Sequence, residues 1–142
     1  MIKIYSEVKK DKLLHIISRR FDLDYPNPSS GRGDIVPENQ FLQVARCSFD
    51  EGKTFKAHKH IRAEKTADQV GITQESWVVL SGRVRVFLYD LDDTLFFTTI
   101  LEQGDCSITL EGGHNYEMIE DSRIMEFKTG PYLGVEKDKV LL

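Results

Sequence analysis

Cysteine is scarce: Cys47 and Cys106 are the only two, and neither sits in a CxxC spacing. That excludes a disulfide scaffold and a paired-thiolate site, and both thiols are expected to be reduced and buried in apolar, strand-like surroundings. Long apolar runs are missing as well. No stretch of eighteen apolar residues occurs, so no membrane-spanning helix is expected. The first ten residues carry charges where a signal peptide needs an unbroken apolar stretch, which leads us to expect a cytoplasmic protein. Blocks of one charge sign are absent too. The 19 basic and 23 acidic residues give a formal charge of -4 and are interspersed, leaving no electrostatic footprint for nucleic acid or an anionic membrane. The expected partners are small molecules and other proteins. There is no internal repeat and no low-complexity tract, and 142 residues suit one domain with one core.

What is present is strand chemistry. Short segments rich in β-branched and aromatic residues recur at Gln40 to Phe49, Thr54 to Lys59, Glu75 to Leu80, Arg83 to Tyr89, Leu95 to Leu101, Asp105 to Leu110, Tyr116 to Ile119 and Arg123 to Lys128. The links between them are Asp-Glu-Gly, Ser-Gly, Asp-Leu-Asp-Asp, Glu-Gln-Gly-Asp, Glu-Gly-Gly and Glu-Asp-Ser, the spacing of an all-β sandwich or barrel. Ahead of them, Asp11 to Phe21 has apolar residues at 13, 14, 16, 17 and 21 and predicts one short N-terminal helix. Asp24 to Gly33, with its prolines and glycines, predicts a loop. The chain therefore divides into an N-terminal helix and loop extension (1–35), a β-domain (36–130) and a C-terminal tail (131–142).

The chemistry concentrates around His58 and His60. Side chains in a strand alternate, so these two imidazoles share a face, about 6 to 7 Å apart along the backbone, and can grip one ion. Glu75 opens the apolar run Glu75-Ser-Trp-Val-Val-Leu-Ser-Gly82 that must lie near that strand, and it offers a hard oxygen beside the two nitrogens. His114 is a further candidate ligand. Zinc, manganese, nickel and iron all accept such mixed donors, and residue identity does not choose among them.

These residues resemble the cupin superfamily. Its first motif is Gly, five residues, His-x-His, three or four residues, Glu, six residues, Gly; here Gly52, His58 and His60 match the start. Glu64 and Gly71 fit the literal spacing, whereas Glu75 and Gly82 fit only the final step. The six residues before the glycine should form a buried strand, which Ser-Trp-Val-Val-Leu-Ser does and Lys-Thr-Ala-Asp-Gln-Val does not. Glu75 is thus the expected ligand, with Ile61 to Gln74 an inserted loop at the barrel mouth. The second motif is degraded: Gly104-Asp105 and Gly112 remain, Leu110 replaces proline, and His114 arrives one residue early. A one-residue shift turns a strand side chain to the other face, unless a shortened Gly112-Gly113 turn absorbs it. A narrower likeness covers about Arg46 to Lys139. It rests on Phe55-Lys-Ala-His-Lys-His60, Glu75 to Gly82 and the closing Glu126-Phe-Lys-Thr-Gly-Pro-Tyr132 with Asp138-Lys139, and it resembles small cupins of surface-polysaccharide (O-antigen) biosynthesis.

The resemblance implies an all-β, single-domain jelly-roll barrel holding a divalent ion through His58, His60, Glu75 and His114. It further implies a small-molecule substrate, a sugar or nucleotide sugar, undergoing isomerase- or epimerase-type chemistry. Alternatives stay open: a metal-free ketoisomerase or epimerase with His60 as base and Tyr116 as acid, an iron-dependent dioxygenase, or a non-catalytic ligand-binding module. Strand edges left open near the N-terminal side make a homodimer the expected assembly. Plain readings apply elsewhere: His15 as a surface or packing residue, Asp90 to Asp93 as a solvated turn, Arg83 and Arg85 on a solvent face, Trp77 as core lining, and Gly112 and Gly113 as turn glycines.

Overall fold

A computed structural model describes residues 1–18, 31–66 and 69–142, apart from the side chains of 63–66 and 69–70. Ile2-Lys-Ile-Tyr5 alternates with period two and forms β1 (Ile2–Tyr5), which pairs antiparallel with β2 (Leu13–Ile17). The expected N-terminal helix is therefore not formed over its described part; residues 19–21 of that prediction lie outside the described chain. The reason lies in Ile16 and Ile17, whose β-branching suits a pleat, and in a partner strand that supplies the backbone bonds a lone helical turn lacks. Residues 24–30 of the expected loop also lie outside the described chain. Its end is a strand, β3 (Gly31–Asp34), paired with β4 (Leu42–Phe49).

The chain continues through β5 (His58–His60), β6 (Arg62–Thr66), β7 (Gln69–Ile72), β8 (Glu75–Ser81), β9 (Val84–Tyr89), β10 (Leu95–Leu101), β11 (Cys106–Thr109), β12 (Gly113–Met118) and β13 (Ser122–Thr129). It closes with α1 (Val135–Asp138) and β14 (Lys139–Leu141). One sheet has the order β10-β9-β12-β5-β14 and the other β11-β8-β13-β4-β3. The two are separate ladders, so the structure is a pair of five-stranded sheets and not a barrel closed by strand pairing. Ile61 to Gln74, expected as a loop, contains the hairpin β6-β7, and α1, the helix found among the described residues, is near the C-terminus.

Alternation along each strand separates inside from outside. On β4 the odd positions Gln43, Ala45, Cys47 and Phe49 are buried, and on β8 Glu75, Trp77 and Val79 are. The register then divides the interior lengthwise. Ile124 opposes Val79 and Cys47, and Met118 opposes Val84, which makes one end apolar. Toward the other end Glu126 opposes Trp77, Lys128 opposes Glu75, and His114 opposes His58. Trp77 marks the boundary, stacked on Tyr116 at 3.9 Å and met edge-on by Phe55 at 5.8 Å. Each such aromatic pair contributes about 0.5–1.5 kcal/mol beyond area burial. The apolar end thus holds the sheets together, while the other end is free to carry polar groups.

Two expectations about single residues change. Cys47 is buried, but Cys106 is exposed, because it falls on the outward face of the edge strand β11 opposite Val78. Arg85 pairs with Glu117 at 2.6 Å and Arg83 lies 3.4 Å from Glu120, which places both on the outer face as expected.

Candidate metal centre

Strand pairing assembles the centre. His58 and His60 are buried on the inner face of β5, and β12 sets His114 directly opposite His58. Gly112 makes this possible: its φ of 86° permits a turn in which a Cβ would press on the carbonyl of Tyr89. The compact turn restores the inward direction, and His114 is fully buried. Ring centroids of His58 and His114 are 4.6 Å apart, those of His58 and His60 5.5 Å. Each imidazole offers a ligand nitrogen lying within 4.8 Å of the other two. Glu75, at the start of β8, reaches across the sandwich: Oε2 is 3.4 Å from His60 Nε2, and Oε1 is 3.4 Å from His114 Nε2. Trp77 Nε1 donates to Glu75 Oε1 at 2.9 Å and fixes the carboxylate. Glu64, the alternative by spacing, lies on β6, and its side chain is outside the described residues.

Two of the rings meet a polar group on their outward side. His58 Nδ1 donates to the carbonyl of Lys56 at 3.1 Å, leaving the lone pair on Nε2. His60 Nδ1 is 3.2 Å from Asp138 Oδ2, a close polar contact, and Thr73 donates to the other oxygen of Asp138 at 2.6 Å. The inward nitrogens are a different matter. His60 Nε2 and His114 Nε2 meet only the Glu75 carboxylate, at 3.4 Å, and His58 Nε2 and His114 Nδ1 are buried without a hydrogen-bond partner among the described residues. Each such group costs about 1–3 kcal/mol when left unsatisfied. A folded chain that gathers these nitrogens within one small volume is paying for something other than stability, and a cation accepting their lone pairs fits the donor set.

Electrostatics agree with that donor set. Burial and the neighbouring His114 push His58 down to about 4, so it is neutral and available as a ligand at pH 7. Burial also acts against protonated His60, but Asp138 and Glu75 outweigh it and raise this imidazole to about 9. Burial acts to raise Glu75, yet His114 and His60 hold it well below the usual carboxylate range. An ion held by His60 would take the place of the Nε2 proton beside Glu75, while Nδ1 keeps its proton toward Asp138.

A cavity of about 330 Å³ opens on this centre, lined by His58, Glu75, Trp77, Tyr116, Glu126 and Arg32 among others. Tyr116 keeps its phenol neutral through burial and the nearby Glu75 charge, and its hydroxyl is 2.9 Å from Ser107. Glu126 bonds to Arg32; burial and Glu75 raise its carboxyl against the opposing pull of Arg32. Asp138, Thr73, Glu126 and Arg32 are absent from the candidates read in the sequence. Asp138 and Thr73 sit in segments read as tail and inserted loop, and only the pairing of β14 with β5 brings Asp138 to His60. An inward parity with Ile124 on β13 was the available signal for Glu126.

No protein-family model and no curated protein matches the chain by sequence. Solved structures do match. KdgF from Halomonas sp. superposes with a TM-score of 0.57 at 19% identity, over 80% of this chain and 90% of that one. A cupin superfamily protein from Desulfitobacterium hafniense gives 0.51 at 11% identity, over 69% of this chain and 74% of that one. The fold is that of the cupins. The capsular polysaccharide assembling protein CapF from Staphylococcus aureus gives 0.58 at 16% identity, over 78% of this chain, and the cupin fold seen here spans 29% of CapF. No helix of the chain, among the described residues, is long and apolar enough to cross a membrane.

Proposed function

We propose that this cupin binds one divalent ion through His58, His60, His114 and Glu75 and acts on a small carbohydrate-class molecule in the adjoining cavity, by isomerase- or epimerase-type chemistry. The observation that carries the reading is the convergence of three buried imidazole nitrogens beside Glu75, with His58 hydrogen-bonded from behind by the Lys56 carbonyl and His60 in contact with Asp138. When bound, the ion would supply Lewis-acid polarisation of a substrate oxygen. The rest falls to the chain. Trp77, Phe55 and Tyr116 form part of the cavity wall, and Tyr116 offers a neutral hydroxyl to a developing negative charge. Glu126, raised and facing the same space, is placed to accept or return a proton. Likeness to CapF in fold supports a polysaccharide-related setting.

Elemental analysis of protein purified without chelator checks the centre: about one ion per chain in the wild type, and loss of it in His58→Ala with the fold retained. A reconstituted wild type that holds no metal sinks the reading. A screen of monosaccharides in deuterated solvent then separates turnover from binding, since an isomerase exchanges a substrate proton and a carrier does not.

A further inference from the structure

The inner face of a sandwich is where cations are least expected, yet three point there. Arg32 is paired in register with buried Cys47, Lys128 with Glu75, and Lys139 with His60, and directly opposed residues of an antiparallel pair share a face. With Lys53 they line the cavity that opens on the metal centre. Arg32, Lys128 and Lys139 also line an adjoining cavity of about 310 Å³, so they stand where the two spaces meet. The chain as a whole is acidic, at -4, and a general excess of basic residues does not account for this grouping. Arg32 is already committed to Asp34 and Glu126. The lysines are held less tightly: Lys128 lies over the Tyr132 ring at 4.8 Å and favours the charged forms of Glu126 and Asp138, Lys53 lies over Phe55 at 5.4 Å, and none of Lys53, Lys128 and Lys139 is in a contact ion pair with another described residue.

We infer that the natural ligand is a monosaccharide-sized anion whose carboxylate or phosphate is met by Lys53, Lys128 and Lys139 while its neutral part lies against Trp77 toward the metal centre. A volume of about 330 Å³ is at the small end of ligand sites and fits one sugar unit. The inference rests on the cavity proposed above as the substrate site, but the lysine rim is present whether or not an ion is bound.

Trp77, the single tryptophan of the chain, lies in the wall of this cavity, so all tryptophan fluorescence arises there. Quenching by iodide and by caesium, each normalised to free tryptophan, is measured on metal-loaded and chelator-treated protein. Iodide is expected to quench Trp77 the more strongly in both forms, with the preference abolished in Lys128→Met/Lys139→Met and kept in Lys12→Met. Titration with glucuronate, glucose 6-phosphate and glucose follows, where one or both acidic sugars are expected to bind about tenfold tighter than glucose, each lysine removed weakening binding about two- to fivefold. The stronger of the two acidic arms identifies the carboxylate or the phosphate. Equal quenching by the two ions, glucose binding as tightly as the acids, or no binding of either acid at millimolar concentration overturns the inference. If the double variant fails to fold, Lys53→Met, on an exposed residue, carries the same comparison. Metal content measured on the same samples keeps failure of the metal centre separate from failure of the anion site.

Discussion

At the scale of single residues, the centre is decided by what stands behind each imidazole. Asp138 faces His60 Nδ1 and is itself held by Thr73, an arrangement that orients a ligating histidine and strengthens it as a donor. Asp138→Asn is accordingly expected to weaken metal binding about 10- to 100-fold in a chelator competition, with the far-UV spectrum unchanged; equal affinity would remove Asp138 from the centre. The two β5 histidines also predict opposite pH slopes for metal-free protein. His60 is raised to about 9, so its contribution is complete below pH 6.5 and is lost as pH rises through 9. His58 is lowered to about 4, so the unfolded chain takes up its proton first, and stability falls as pH drops from 6.5 toward 4. Urea midpoints of chelator-treated protein should peak near pH 6.5 and decline on both sides. A flat profile from pH 5 to 8 would contradict the burial and pairing assigned to both rings. His58 and His60 were legible because period two in a strand needs no tertiary information. Asp138 was not, since its only relation to His60 is through space.

Individual elements show where local pattern suffices and where it fails. The turn from β8 to β9 was readable from Ser81-Gly82 between apolar runs, and the structure explains the glycine: φ is 82°, and a Cβ would collide with the Asp121 carbonyl and the Ser122 side chain. Gly82→Ala should therefore cost about 1–3 kcal/mol in denaturant unfolding, whereas the open Gly71 should tolerate the same change. The N-terminal segment went the other way. Leu13-Leu-His-Ile-Ile17 satisfies a weak helical face as readily as a strand, and β1 supplies the deciding hydrogen bonds. Likewise nothing local marks Lys139–Leu141 as a strand, yet it completes the sheet beside β5 and delivers both Asp138 and Lys139 to the interior.

For the whole molecule, two five-stranded sheets leave four edges, formed by β10, β14, β11 and β3. Exposed Leu95, Phe96 and Phe97 lie together on β10, and we propose that a second copy of the chain covers this edge, in place of the N-terminal edges expected from the sequence. The proposed homodimer predicts a scattering mass of twice 16.3 kDa at micromolar concentration, reduced toward one chain by Phe96→Lys; a wild-type monomer would discard it.

The amino-acid sequence by itself determined the all-β class, most strand positions and the pairing of His58 with His60, because alternation and turn chemistry act between near neighbours. Register between distant strands decided everything else. It set His114 opposite His58, brought Glu75 across to the histidines, placed a tail carboxylate beside His60, and lined the interior with lysines. Those outcomes depend on which backbone lies beside which, a matter settled by closing long loops around one core, and no window of the chain contains it.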